Sequence, residues 1–239
     1  MLEIGVDEAG RGPVIGPLVV SAVAIPTQDV SMLVDKGVKD SKDLTANQRE
    51  EIRTWFLDKC AERGWKFATI LCSPNRVDHA VYDKGLNVLE TELFAESINQ
   101  LELIDYINIK IICDACDVDE QRFSRRISQL INAWPWEKST IDSFHKADEN
   151  YPIVGMASIL AKQARDQSIK DIEDAVGFPI GSGYPSDAKT IAAVKKMISD
   201  KPHDELRWSW ATVKRIWDQE KQTEMPSRLV SSGNQTTLF

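Results

Sequence analysis

A chain of 239 residues with 42% hydrophobic, 8% aromatic and 28% charged side chains has the balance of a folded globular protein, which excludes a disordered, collagenous or coiled-coil one. Its 29 Lys and Arg stand against 37 Asp and Glu, and a formal charge of −8 excludes the broad basic surface of a nonspecific duplex binder, so any nucleic-acid contact has to be local. The longest apolar stretch, 14–25, is interrupted by Pro17 and reaches about half of the ~20 residues a membrane helix needs, while Glu3, Asp7 and Glu8 stand where a signal peptide carries positive charge; neither a membrane span nor secretion is expected, and Cys60, Cys72, Cys113 and Cys116 are expected to be reduced thiols of a cytoplasmic protein.

Leu2, Ile4 and Val6 alternate with Glu3, Gly5 and Asp7, the period of a half-buried strand, and the run ends in the sharp turn Glu8-Ala9-Gly10-Arg11-Gly12-Pro13. The Val- and Ala-rich segment 18–25 reads as a second, more buried strand, so the two are expected to form a hairpin. Thr45-Ala46-Asn47-Gln48 has the spacing of a capping box and predicts a helix to about Arg63. A strand over 65–72 follows, then a helix over 86–101 with apolar residues at helical spacing. A nearly continuous apolar run, 107–113, has strand length and ends at Asp114. Beyond it come a helix over about 118–131, a short strand near 140–144, and a helix from Pro152, with proline in its first turn, to about Ile172. Strands first, then strands alternating with helices, predict an α/β domain with a mixed sheet flanked by helices. Past Gly181-Ser182-Gly183-Tyr184-Pro185 the pattern is wholly helical, with segments near 187–199 and 209–222, and from Pro226 onward the composition is too polar to order itself. The expected division is therefore an α/β domain over 1–185, a small C-terminal helical annex over 186–225 and a tail over 226–239, with no internal repeat.

Four acids stand out by position: Asp7 and Glu8 at the end of the first strand, Asp114 at the end of a central one, and Asp148 just before the Pro152 helix. Strand ends in an α/β sheet converge on one rim, and carboxylates crowded there repel one another unless a cation neutralises them. Hard oxygen ligands imply Mg²⁺ or Mn²⁺ in preference to zinc. Neighbouring strand residues face opposite sides, so Asp7 and Glu8 reach one metal only if the backbone twists at Ala9-Gly10. Other metal and nucleotide patterns fit less well. Asp114, Asp117 and Asp119 lack the glycine and distal glutamate of a calcium loop, and Cys113 and Cys116 form a lone Cys-x-x-Cys with no second pair. There is no P-loop, and Gly10-x-Gly12 precedes a strand where a dinucleotide fingerprint requires a helix.

Six segments taken together resemble one family. Gly5-Val6-Asp7-Glu8-Ala9-Gly10-Arg11-Gly12-Pro13, Asp40-Ser41-Lys42-Asp43-Leu44, Asp114-Ala115-Cys116-Asp117-Val118-Asp119, His145-Lys146-Ala147-Asp148-Glu149-Asn150-Tyr151-Pro152, Ala157-Ser158-Ile159-Leu160-Ala161-Lys162 and Gly181-Ser182-Gly183-Tyr184-Pro185-Ser186-Asp187 are similar, in order and over nearly the whole chain, to ribonuclease HII of the archaeal style. The resemblance implies a ribonuclease-H-like fold and endonucleolytic hydrolysis of the RNA strand of RNA/DNA hybrids and at ribonucleotides embedded in duplex DNA. It also implies two Mg²⁺ or Mn²⁺ ions per site, and products with a 5′-phosphate and a 3′-hydroxyl. Asp7, Glu8, Asp114 and Asp148 match the family's catalytic, metal-binding acids. Gly10, Arg11 and Gly12 match the turn that reads the 2′-hydroxyl with main-chain groups, and Tyr184 the tyrosine beside the following deoxyribose. Lys42, Lys146 and Arg165 fall on basic positions suited to phosphates. Cys116, Met156 and Gln163 depart from the family pattern.

The last residues carry one further motif. Gln235-Thr236-Thr237-Leu238-Phe239 resembles a shortened sliding-clamp-binding motif, with Gln235, Leu238 and Phe239 as its anchors, and a clamp is expected as a partner alongside the nucleic acid. The enzyme itself is expected to be a monomer.

Overall fold

The computed structural model describes residues 1–38, 41–103, 107–199, 201–221 and 223–228, without the Lys42 side chain. Gln235, Leu238 and Phe239 of the clamp-like motif lie outside the described residues.

In chain order the elements are β1 (Leu2–Ala9), β2 (Leu18–Pro26), α1 (Ser31–Lys36), α2 (Ala46–Arg63), β3 (Lys66–Cys72), α3 (Pro74–Asp83), α4 (Leu86–Asn99), β4 (Ile109–Asp114), α5 (Glu120–Ser128), β5 (Thr140–Phe144), α6 (Ala147–Asn150), α7 (Pro152–Val176), α8 (Ala188–Met197) and α9 (Ala211–Glu220). The five strands form one mixed sheet in the order β3-β2-β1-β4-β5. The expected hairpin is present: β1 and β2 pair antiparallel from Leu2↔Pro26 to Ala9↔Val19, and β3 continues antiparallel on β2. Strands β4 and β5 run parallel to β1, so the C-terminal ends of β1, β4 and β5 share one edge.

The period-two pattern of the strands sorts their side chains into two cores. Ile4, Val6, Leu18, Val20, Ile111 and Cys113 face α3, α4 and α5, where Val77, Leu93, Phe94 and Phe123 meet them. Val23, Ile25 and Ile112 face the other way, onto Phe56 of α2 and the Ile153–Leu160 stretch of α7. Helix α7 lies directly on β1 because Gly5 has no side chain; a β-carbon there would overlap the Ile153 carbonyl group. A third cluster joins α8 and α9 to the turn after β1 and to the end of α7. Ala193, Val194, Val213 and Trp217 pack there with Val14, Ile15, Ile169 and Ile172.

Local signals account for the boundaries. The capping box of α2 is formed on both sides, with Gln48 N donating to Thr45 Oγ1 at 3.3 Å and Thr45 N to Gln48 Oε1 at 2.9 Å, and the helix stops at Gly64 with φ +72°. Strand β4 begins two residues later than the apolar run, because Ile107 is 55% exposed and makes only an isolated bridge to Glu137. Three short helices had no counterpart in the sequence reading: α1, α3, which opens on the Ser73 cap with Pro74 in its first turn, and α6, entered through Lys146 at φ +58°.

Candidate active site

The site stands at the shared strand edge. In the parallel pairing of β1 with β4 the final register is Val6↔Cys113, so Asp7 and Asp114 both follow it and stand side by side where these two strands part, each still paired on its other side, with Ser21 of β2 and Phe144 of β5. Asp114 Oδ1 accepts from the Ala147 N–H at 2.6 Å, and this bond draws α6, with Asp148 on it, over the end of β4. Asp7 is 4% and Asp148 7% exposed. Carboxylate oxygens of Asp7, Glu8 and Asp114 all lie within 4.8 Å of one another. The pairing of β1 with β2 runs unbroken through Ala9↔Val19; Asp7 Oδ1 accepts from the Glu8 N–H at 2.7 Å, and the chain turns just beyond the strand at Gly10, with φ +83°. Asp148 lines the same cavity, about 240 Å³, together with those three acids and the Gly10–Gly12 turn.

Burial, and after it the charges of Glu8, Asp114 and Asp148, hold Asp7 well above the ordinary carboxylate range, opposed by a hydrogen bond with Ser158. That is the electrostatic state of a cage built for a cation. The ligand atoms present are carboxylate oxygens, the donor set of Mg²⁺ or Mn²⁺, and no histidine belongs to the cluster. The Cys116 thiol, pushed far up by burial and by Glu8, donates to Glu8 Oε2 at 3.3 Å. Cys113 is fully buried in the core, so the Cys-x-x-Cys pair is divided between packing and the support of one acid.

The turn between β1 and β2 is held from several sides. A β-carbon at Gly10 would lie 2.8 Å from the Pro17 carbonyl oxygen, whereas one at Gly12 would make ordinary contact with the Tyr184 ring at 3.5 Å. The Arg11 side chain turns toward α4, with Nε 2.7 Å from Glu90 Oε1 and an NH2 bond of 2.8 Å to Asn87 Oδ1. Glu90 is fully buried, and burial followed by the opposing pull of Arg11 and the push of Glu8 leaves its carboxyl at about 8. Ser41 and Ser158 bond to each other at 2.9 Å beneath Asp7.

The other expected substrate contacts are placed differently from one another. Tyr184 stands at the cavity rim, 37% exposed, with the Arg165 guanidinium 5.1 Å from its ring centre. Arg165 is itself only 4% exposed; it donates to the Ser182 carbonyl and pairs with Asp166 at 3.2 Å, so it supports the tyrosine from below more than it meets solvent. Lys146 is largely exposed and pairs with Glu149 at 2.7 Å. Lys42 belongs to the short 3₁₀ segment Ser41–Asp43, and its side chain lies outside the described residues. Of the departures from the family pattern, Met156 fills the core and Gln163 donates to Glu50 Oε2 at 3.0 Å, both away from the acids.

Sequence reasoning passed over Asn87, Glu90, Arg207 and Trp210. The first two sit in a helix with several acids, where nothing marks the buried one. The last two lie in the segment read as an annex, though an arginine between Leu206 and Trp208 in an apolar run is a signal of a buried, bonded cation.

A sheet in which one antiparallel hairpin is followed by parallel strands, with acids gathered where the parallel strands end, defines a ribonuclease-H-like, metal-dependent nuclease. The family model described as Ribonuclease HII matches residues 4–213. A ribonuclease HII of Methanococcus vannielii is 38% identical over 93% of this chain and 88% of its own. The solved ribonuclease H2 of Pyrococcus horikoshii superposes with a TM-score of 0.80 at 36% identity, covering 92% of this chain and 98% of that one. The enzyme in a solved PCNA:RNase HII complex from Archaeoglobus fulgidus gives 0.74 at 34% identity, covering 88% and 95%. The chain belongs to the ribonuclease HII family and is a ribonuclease H acting on RNA/DNA hybrids.

Proposed function

We propose that this enzyme also cuts at single ribonucleotides embedded in duplex DNA, and that it does so by two-metal-ion hydrolysis leaving 5′-phosphate and 3′-hydroxyl ends. One observation carries the reading: the carboxylates of Asp7, Glu8 and Asp114 converge to within 4.8 Å beside a glycine turn that shares their cavity. Asp7, Glu8, Asp114 and Asp148 would hold the ions, Mg²⁺ or Mn²⁺. Divalent ions in such a cage polarise the scissile phosphate and make water a nucleophile at neutral pH. The protein's own part is positional. Ala147 N–H fixes one oxygen of Asp114, Glu8 N–H and Ser158 fix Asp7, and the Cys116 thiol fixes Glu8, so the acids are oriented before substrate arrives.

The Gly10–Gly12 turn brings backbone close to the sugar, and the 2′-hydroxyl, both donor and acceptor, is the group by which RNA differs from DNA there. Tyr184 offers its ring to the next sugar, backed by Arg165. Lys146 and Lys42 serve the phosphates. The assay is a DNA duplex carrying one ribonucleotide, with Mg²⁺, with Mn²⁺ and with chelator. Cleavage at the 5′ side of that ribonucleotide only when a divalent ion is supplied is the expected result, and cleavage in chelator, or of an all-DNA duplex, would overturn the reading.

The site is completed by one chain, in keeping with a monomer, and among the described residues no helix is long and apolar enough to cross a membrane. We place the enzyme in the cytoplasm. A sliding clamp is the proposed protein partner, through Gln235, Leu238 and Phe239. The complex with PCNA formed by the Archaeoglobus fulgidus relative supports this, as does the pair of apolar residues closing a polar tail.

A further inference from the structure

Arg207 lies in the loop between α8 and α9, far along the chain from the acids, yet its side chain is fully buried and is spent on the turn after β1. Its NH2 donates to the Gly10 carbonyl at 2.5 Å, its NH1 to the Arg11 carbonyl at 2.8 Å and its Nε to the Gly16 carbonyl at 3.1 Å. Trp210, whose ring centre is 5.0 Å from the Arg207 guanidinium, donates Nε1–H to the Gly12 carbonyl at 3.2 Å. Three successive carbonyls of the Gly10–Gly12 turn are thereby drawn to one side by two side chains.

A peptide group is planar and trans, so its N–H points opposite to its C=O. Fixing the Gly10 and Arg11 carbonyls on the Arg207 side therefore aims the Arg11 and Gly12 N–H groups away from it. Neither N–H has an acceptor among the described residues, whereas nearby backbone groups are bonded: Val14 N bonds Gly183 O at 2.8 Å and Arg207 N bonds Val14 O at 2.9 Å. We propose that Arg207 and Trp210 are positioning residues for ribose recognition, holding the turn's carbonyls so that the Arg11 and Gly12 N–H groups are presented to the 2′-hydroxyl. The role rests on the reading that this turn senses ribose.

The loop carrying Arg207 is itself locked. Asp78 of α3, fully buried, accepts from Trp208 N and Ser209 N at 2.9 Å each and from Ser209 Oγ at 2.7 Å, and Arg228 Nε lies 2.9 Å from its Oδ2. Arg228 adds NH2 bonds of 2.8 Å to the His203 and Leu206 carbonyls. The support of the turn is thus anchored at both ends, as a device that sets geometry has to be.

The test compares the wild type with Arg207→Lys, which keeps the charge but not the fork of donors, and Trp210→Phe, which removes the Nε1–H and part of the indole ring while keeping an aromatic face. Affinity is measured by fluorescence anisotropy, with Ca²⁺ in place of Mg²⁺, for a duplex with one ribonucleotide and for the same sequence in all DNA. The expected result is a fall in the ribonucleotide-to-DNA affinity ratio of about tenfold for Arg207→Lys and about threefold for Trp210→Phe, with affinity for the all-DNA duplex within about twofold of wild type. An unchanged ratio in the folded variants, or an equal loss on both duplexes, would overturn the proposal. Should Arg207→Lys fail to fold, Trp210→Phe decides alone. A wild-type ratio of one would instead remove the ribose-sensing reading of the turn, and this role with it.

Discussion

Asp114 comes to the cation cage with one oxygen already bonded to the Ala147 N–H. An asparagine there keeps that bond and the side-chain shape but turns an N–H₂ toward Asp7 and removes a charge. Asp114→Asn is therefore expected to lower the single-turnover rate on an RNA/DNA hybrid by at least about a hundredfold while circular dichroism stays native; near wild-type rates in Mg²⁺ or Mn²⁺ would separate this acid from the chemistry. Tyr184→Ala tests a different function. It removes the ring over Arg165 at the rim, and cleavage at a single ribonucleotide should suffer at least about tenfold, more than the melting temperature does. Glu90 gives a pH signature. Its carboxyl is raised in the folded state to about 8, so the fold binds that proton more tightly than the unfolded chain does. The stability it lends is complete below the unfolded value of 4.5 and is lost as pH rises toward 8. Wild type should therefore lose stability relative to Glu90→Gln between pH 5 and about 8, by a few kcal/mol at about 1.4 kcal/mol per pKa unit, in urea titrations run at each pH. Parallel pH curves for the two proteins would show that Glu90 does not titrate in that range.

At the scale of elements, the packing of α7 on β1 depends on the bare face of Gly5. Gly5→Ala forces that helix, which carries Ser158 and Arg165, off the strand that carries Asp7. A destabilisation of about 2 kcal/mol or more by urea denaturation is expected, with activity falling in the surviving folded fraction. A neutral effect would mean that helix and strand move apart freely. The elements legible in the sequence are those whose signal is local and repeated. Ile4 and Val6 alternate with polar or small neighbours, Thr45 and Gln48 make their cap within four residues, and the 107–113 run, two residues longer at its start than the strand, ends at Asp114. What stayed hidden depends on contacts distant in sequence. Arg165 reads as a basic position suited to phosphates, and only the fold shows the Ser182 carbonyl and the Tyr184 ring closing over it. Glu90 looks like its neighbours Glu92 and Glu96 until Arg11, nearly eighty positions earlier, meets it. Asp7, Glu8 and Asp114 stand out in the sequence because strand ends announce themselves, and Asp148 only as an acid ahead of the Pro152 helix; that the Cys116 thiol faces Glu8 was not legible, since nothing in the spacing of the two cysteines says which group each thiol faces.

Over the whole molecule, a net charge of −8 facing a polyanion means that binding rests on local contacts and on the cations the acids gather. The proposed clamp contact is testable apart from the nuclease. A peptide spanning 227–239 should bind the cognate clamp with micromolar affinity by calorimetry, because a short anchor also has to offset its own ordering, and the Leu238→Ala, Phe239→Ala peptide should give no heat. Equal heats from both peptides would leave the tail without this partner. The buried Asp78–Arg228 pair then takes on a second meaning, as the fixed end of a tether. Seven positions separate Arg228 from Gln235, a span that no chain stretches beyond about 25 Å, so a clamp gripping Gln235 would be confined within that radius of the pair. Lengthening the stretch between them would dilute the nuclease's effective concentration at the clamped DNA without altering a single contact at either end.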